Sequence, residues 1–155
     1  MIVREAQKTD YYELYKFMEL LDAEFVPPLS LREGGIEGRL NNTLCKHNSN
    51  FLIAEDVHGI RGIIGYKKHW KNELDAYVSI VAVHPKYRGN GISKILNDIL
   101  QKKLKKDGIK YLNVCTWSTN EAALNLYNKQ GYKINCIKKN DRGEGIDTIY
   151  FIKYI

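Results

Sequence analysis

The strongest constraint on the fold lies in the run Val81-Ala82-Val83-His84-Pro85-Lys86-Tyr87-Arg88-Gly89-Asn90-Gly91-Ile92-Ser93-Lys94. The apolar, β-branched stretch from Ala76 to Val83 is stopped by Pro85, which has no N–H to give to a sheet. Ile92, Ile95, Leu96, Ile99, Leu100 and Leu104 then recur at steps of three and four, with Lys94, Gln101, Lys102, Lys105 and Lys106 off that stripe. A central strand therefore turns through Gly89 and Gly91 into an amphipathic helix. Such a unit needs neighbouring strands to pair with and a sheet face to cover, which argues against an all-helical or an all-β chain. The two glycines also permit consecutive N–H groups to converge on an anion at the positive end of the helix. A pyrophosphate and a plain tight turn both fit that loop.

The remaining elements follow from periodicity. Ile2 to Glu5 reads as a short strand, and a helix is predicted over 10–24, with Asp10 and Glu13 as a capping box. Pro27 and Pro28 close it. Ser30 with Glu33 has the form of a cap for a second helix, which Gly34, Gly35 and Gly38 leave weakly specified. Phe51 to Glu55 and Ile60 to Tyr66 flank Asp56-Val57-His58-Gly59 as a hairpin. After the central helix, ended by Asp107-Gly108, come a strand at Tyr111 to Cys115 and a helix over 119–130 with Ser118 and Glu121 as its box and Gly131 beyond its end. Strands at Tyr132 to Ile137 and Thr148 to Tyr154 enclose a loop from Asn140 to Gly145. The predicted class is mixed α/β: one mixed sheet of about seven strands with about four helices, in the order β-α-α-β-β-β-α-β-α-β-β.

Composition removes several function classes. A chain of 155 residues, 44% apolar and 27% charged, has the size of one domain and suffices for a core, so residues 1–155 are read as a single domain. No apolar run approaches the roughly 18 to 20 residues of a membrane helix. The start Met1-Ile2-Val3-Arg4-Glu5 has no apolar leader, which reads as cytoplasmic. Cys45, Cys115 and Cys136 have neither the number for full pairing nor the spacing of a zinc site, so no metal is expected. The net charge of +6 favours an anionic partner. The basic cluster Lys102, Lys103, Lys105 and Lys106 lies on the polar side and at the C-terminal end of its helix, where cations suit the dipole, so nucleic acid is not expected.

The loop lacks both the third glycine of a dinucleotide fingerprint and the Gly-Lys-Ser/Thr ending of a P-loop. Arg88-Gly89-Asn90-Gly91-Ile92-Ser93 resembles the acetyl-CoA loop of the GNAT family (GCN5-related N-acetyltransferases), with Ser93 where the family has Gly or Ala. Val81-Ala82-Val83-His84-Pro85 looks like that family's central strand, and Asn120-Glu121-Ala122-Ala123-Leu124-Asn125-Leu126-Tyr127-Asn128-Lys129-Gln130-Gly131-Tyr132 like its second signature.

The resemblance implies an N-acetyltransferase that uses acetyl-CoA as cosubstrate, without a metal, and acts on a primary amine. It implies that the backbone of Val81, Ala82 and Val83 pairs with pantetheine. The N–H groups from Gly89 through Asn90, Gly91, Ile92 and Ser93 to Lys94 would hold the pyrophosphate, with charge from Arg88, and Asn120 would bind the pantetheine arm. Tyr127 would stand near the thioester sulfur as a general acid or hydrogen-bond donor. Glu24, Glu73 and Asp75 are the candidate bases. The acceptor, a small molecule or a peptide, would lie against the first two helices, their connection from Glu24 to Arg32, and the loop from Asn140 to Gly145. The alternative is a non-catalytic acyl-CoA-binding module on the same fold, and a homodimer is left open.

Overall fold

The computed structural model describes residues 1–155. Its strands are β1 (Ile2–Glu5), β2 (Ser49–Asp56), β3 (Gly59–Lys68), β4 (Asp75–Val83), β5 (Tyr111–Trp117), β6 (Lys133–Lys138) and β7 (Thr148–Tyr154). Its helices are α1 (Tyr11–Leu21), α2 (Gly35–Thr43), α3 (Ile92–Lys106) and α4 (Glu121–Lys129). The sheet order is β1-β2-β3-β4-β5-β7-β6. Only β4 and β5 run parallel, and α3 is the crossover that parallel neighbours require. The predicted class and element order match this architecture.

Strand alternation divides the apolar residues between two cores. Leu52, Ala54, Ile64 and Val78 face Leu96, Leu100 and Leu104 of α3, while Phe51, Ile53 and Ile63 face Leu14, Phe17, Met18 and Leu21 of α1 and Leu40 of α2. Each fully buried Leu or Ile stabilises the fold by about 1.5 to 3 kcal/mol. Burial of Ile36 and Leu40, rather than helix propensity, holds the glycine-containing α2.

The central strand changes face partway along its length. Ala76 and Val78 belong to the α3 core, yet Ile80 and Ala82 belong to the α1–α2 core. The register slips between Gly65 and Tyr66 of β3, which leaves Ser79 of β4 as an extra residue, a β-bulge that reverses the facing of every later side chain. Gly65 accommodates it: a Cβ there would lie 2.7 Å from Ser79 Oγ and 2.9 Å from Ile80 Cγ2.

All three predicted caps are corrected. Asp10 accepts from Arg4 (2.8 and 2.9 Å) and from the Gln7 N–H instead of closing a box with Glu13, and the last turn of the predicted first helix is a 3-10 turn, Asp22–Glu24. Ser30 gives its N–H and hydroxyl to Asp22 (2.7 and 2.6 Å), and α2 begins only at Gly35. Ser118 Oγ accepts from the Asp147 N–H, so Asn120 caps α4 by accepting from the Ala123 N–H at 3.2 Å.

Candidate active site

The bulge at Ser79 marks the place where β4 and β5 part. The two strands pair from Asp75 with Tyr111 to Val78 with Val114, and no further. Beyond, β5 continues against β7 and β4 against β3. The His84 N–H donates to Arg61 O on the β3 side, so alternation turns the N–H and C=O of Val81 and Val83 toward the opening. The opening is a cavity of about 560 Å³, within the size range of small-molecule sites. Its walls include Val81, Ala82 and Val83, and Thr116 and Trp117 from the diverging end of β5.

One end of the cavity is the loop before α3. Gly89 and Gly91 take φ of 79° and 76°, in the left-handed region where a side chain is strained. Gly91 is the N-cap of α3, so the N–H groups of Ile92, Ser93 and Lys94 have no intrahelical acceptors and stand at the positive pole of a 15-residue helix. The loop is fastened from both sides. Asn90 Nδ2 donates to Tyr87 O, and the Tyr87 ring lies under the buried Arg61 guanidinium at 3.9 Å. Ile92 is buried against Gly62, where a Cβ would lie 2.8 Å from Ile92 Cγ2. Gly89, Gly91, Ile92 and Ser93 line the cavity; the Lys94 ammonium turns along the helix to Asp98 at 2.6 Å.

Arg88 does not point its guanidinium at the helix pole. It donates to Val83 O at 3.1 Å and, with both terminal nitrogens, to the Glu24 carboxylate at 2.9 and 2.6 Å. That fork joins the turn after α1 to the glycine loop across the cavity mouth. The hydrogen bonds from Arg88 hold the Glu24 carboxyl below its ordinary range.

The far wall belongs to α4. Asn120 lines the cavity, with its amide oxygen on the Ala123 N–H and its Nδ2 donating to Thr116 Oγ1 at 3.1 Å. Tyr127 also lines it although only 4% exposed, its ring centroid 5.4 Å from those of both Tyr132 and Phe151. Burial pushes its phenol well above the ordinary tyrosine value.

Of the candidate bases, Glu24 alone lines the cavity. Asp75 is buried at the other end of β4, accepting from the Lys71 and Asn72 N–H groups. Glu73 is exposed in the turn before β4. Phe25 and Trp117 form an aromatic wall, ring centroids 5.9 Å apart, that the sequence pattern does not announce. Their separation in the chain hides the pairing; the one signal is the position of Trp117 just beyond an apolar strand.

A family model described as the acetyltransferase (GNAT) family matches residues 12–132. An acetyltransferase of Yersinia enterocolitica is 32% identical over 136 residues, covering 86% of this chain and 88% of the relative. Among solved structures, the ribosomal-protein-S18-alanine N-acetyltransferase of Escherichia coli superimposes with a TM-score of 0.82 at 20% identity, over 99% of this chain and 93% of that one. An aminoglycoside 6'-N-acetyltransferase complexed with coenzyme A gives a TM-score of 0.82 at 18% identity, over 99% and 97% of the two chains. With the parted β4–β5 pair and the glycine loop at the α3 pole, these matches establish that the chain belongs to the GNAT family of acetyltransferases and is an acyltransferase.

Proposed function

We propose that residues 1–155 form one N-acetyltransferase domain that moves the acetyl group of acetyl-CoA to a primary amine, by attack of the amine nitrogen on the thioester carbonyl carbon. A C–N bond forms as the C–S bond breaks, the amine loses a proton, and CoA leaves as its thiol. The observation that carries this reading is the unpaired β4 edge at Val81 opening on a cavity that ends at the α3 pole.

When bound, acetyl-CoA supplies an activated acyl group; the protein supplies position and polarity. The N–H groups from Gly89 to Lys94 meet the pyrophosphate, and Arg88 acts mainly by fixing the loop, because Glu24 offsets its charge. The backbone of Val81 to Val83 pairs with the amide-bearing pantetheine arm as a strand would. The Val81 N–H is oriented to polarise the carbonyl oxygen. An amide NH2 has two donors, and with one on Thr116, Asn120 keeps one for the arm. Tyr127 faces the departing sulfur.

An aliphatic amine of pKa about 10.4 is mostly protonated at neutral pH. Glu24, held below the ordinary range by Arg88, is a weak base for that proton, so water in the cavity carries it to solvent.

Acetyl-CoA at a hundredfold excess over Kd should stabilise the protein by about 2.7 kcal/mol, read as a rise in Tm. Release of free CoA thiol that depends on an added amine tests transfer. No thermal shift at millimolar acetyl-CoA removes the reading; binding without transfer to any amine assigns the chain to acyl-CoA sensing.

A further inference from the structure

The chain has six arginines: Arg4, Arg32, Arg39, Arg61, Arg88 and Arg142. Arg4, Arg61 and Arg88 each sit on a carboxylate, at 2.6 to 2.8 Å. Arg32, Arg39 and Arg142 have no carboxylate within 4 Å; Arg32 and Arg142 meet at one carbonyl, and Arg39 is near enough for its charge to bear on theirs. Arg32 Nη2 (3.5 Å) and Arg142 Nη1 (2.9 Å) both donate to one carbonyl, Val26 O, so two like charges share a single acceptor. Arg142 also reaches Cys115 Sγ at 3.5 Å, and Cys115 is 3.0 Å from the Tyr77 hydroxyl. Arg39, on α2, donates to Ser79 O at the bulge.

None of the three arginines lines the cavity between β4 and β5, but two of them pack on its aromatic wall. The Arg32 guanidinium lies 5.8 Å from the Phe25 ring centroid and that of Arg142 5.5 Å from Trp117, and both rings line the cavity. The elements involved are the connection after α1, α2, the diverging strands and the loop before β7. The acidic group nearest Arg142 in the hydrogen-bond network, Asp141, accepts from Thr148 Oγ1 rather than from the guanidinium.

Partly buried like charges whose hydrogen-bond partners are all neutral repel each other in a medium less polar than water, and the one carboxylate whose charge Arg32 feels, Asp22, is itself engaged by Ser30. Burial, Arg39 and Arg142 together push the Arg32 guanidinium down to about 10, and burial likewise lowers Arg39. Each guanidinium has five N–H donors in a planar fork suited to carboxylate or phosphate oxygens, and the present acceptors, Thr148 Oγ1 and Cys115 Sγ on Arg142 included, use only part of that capacity.

We propose that Arg32, Arg39 and Arg142 recognise an acid group on the acceptor, so that the substrate class is a small amine that also carries a carboxylate or a phosphate. The inference rests on the acetyl-transfer reading, and it deepens it by naming the acceptor's charge. It turns away polycations such as spermidine and the aminoglycosides, whose ammonium groups would meet three guanidinium groups. The arginines bind and orient, while Phe25 and Trp117 leave the amine directed at the opening between β4 and β5.

The test has a binding arm and a turnover arm. Glutarate, inorganic phosphate and neutral glutaramide are titrated calorimetrically, at fixed ionic strength, into the wild type, Arg39→Gln, Arg142→Gln and Arg142→Lys. Lys105→Gln serves as a control that removes one exposed charge elsewhere. Glutarate or phosphate should bind at least tenfold tighter than glutaramide. The two Gln variants should lose at least tenfold in that affinity, Arg142→Lys less, and Lys105→Gln nothing. The preferred anion identifies the acid group as carboxylate or phosphate. Arg142→Lys keeps the charge and most of the packing, so it reads the site if a Gln variant fails to fold.

In the turnover arm, thiol release is compared for β-alanine against 3-aminopropanamide and for phosphoethanolamine against ethanolamine, with spermidine and kanamycin beside them. The acidic member of a pair should have the higher kcat/KM by tenfold or more, and the Arg variants should raise its KM with acetyl-CoA affinity unchanged. Anion affinities that ignore both Arg39 and Arg142, or preference for a neutral or cationic amine, overturn the proposal. Failure of acetyl-CoA to bind would remove the transfer reading yet leave the anion titration readable, so the two failures are distinct.

Discussion

In the proposed transfer, burial limits what the Tyr127 hydroxyl can do. A free thiol near pKa 8.5 and a phenol near 10 already make full proton donation to a thiolate uphill by roughly 2 kcal/mol, and the apolar packing of Tyr127 against Tyr132 and Phe151 lifts the phenol further. A hydrogen bond to developing negative charge is the remaining contribution, about 1.5 to 3 kcal/mol, or roughly one to two orders of magnitude in rate. Tyr127→Phe should therefore slow single-turnover transfer by that factor while leaving acetyl-CoA affinity and Tm nearly unchanged; an unaltered chemical step would reduce Tyr127 to a packing residue. Gly91 is the complementary case, where backbone alone matters. A Cβ there meets nothing within 4 Å, so Gly91→Val strains only φ, at about 1 to 2 kcal/mol of stability. Acetyl-CoA affinity should fall at least tenfold because the loop N–H groups rotate away, and calorimetry showing a twofold change or less in the folded variant would refute the phosphate-loop assignment. This residue was legible in the sequence since a left-handed conformation is a local demand that only glycine meets cheaply.

Elements were less legible than the loop wherever a distant partner competes for a local signal. Asp10, Ser30 and Ser118 all have the form of helix caps, and each spends its side chain elsewhere: on Arg4, on Asp22 and on the Asp147 N–H. Spacing along the chain carries no record of those partners. The Arg4 link gives a test. Arg4 holds the Asp10 carboxyl below its ordinary range, so its stabilising effect is present above the unfolded value of about 3.9 and is lost as pH falls through the depressed native value. Asp10→Asn should cost about 1 kcal/mol at neutral pH, discounted for partial exposure, and the gap in Tm between the two forms should close in acid. The bulge was also invisible to pattern reading, because Ala76 to Val83 is apolar at every position but Ser79, and one serine in such a run does not mark a change of face. Gly65 is its trace. Gly65→Ala should destabilise by about 1 to 3 kcal/mol through contact with Ser79, Ile80 and Phe51, more than a strand Gly→Ala change elsewhere, as measured by urea unfolding. A neutral result would mean that the bulge relaxes freely.

At the scale of the molecule, the sheet separates the two tasks proposed above. The α3 and α4 face holds the loop, Asn120 and Tyr127, and the α1 and α2 face gathers Arg32 and Arg39 with Arg142. The first set was legible because it falls in two short local motifs, one at the start of α3 and one along α4; the second joins residues from both halves and emerges only on folding. The parting of β4 from β5 lets the two faces meet. In an ordinary sheet a row of free backbone donors lies on the outer rim, where another chain can add to it and aggregate. Here that rim faces a cavity walled by residues of α3, α4 and the aromatic pair, and an extended amide chain has the groups to pair with Val81 and Val83. The sheet is thus left one short strand incomplete, and on the proposed function the guest that completes it is also the reactant. Amide hydrogen exchange at Val81 and Val83 should slow on binding acetyl-CoA, with Ala82, already turned toward β3, changing less; equal slowing of all three would mean that the guest tightens the whole strand instead of pairing with its free edge.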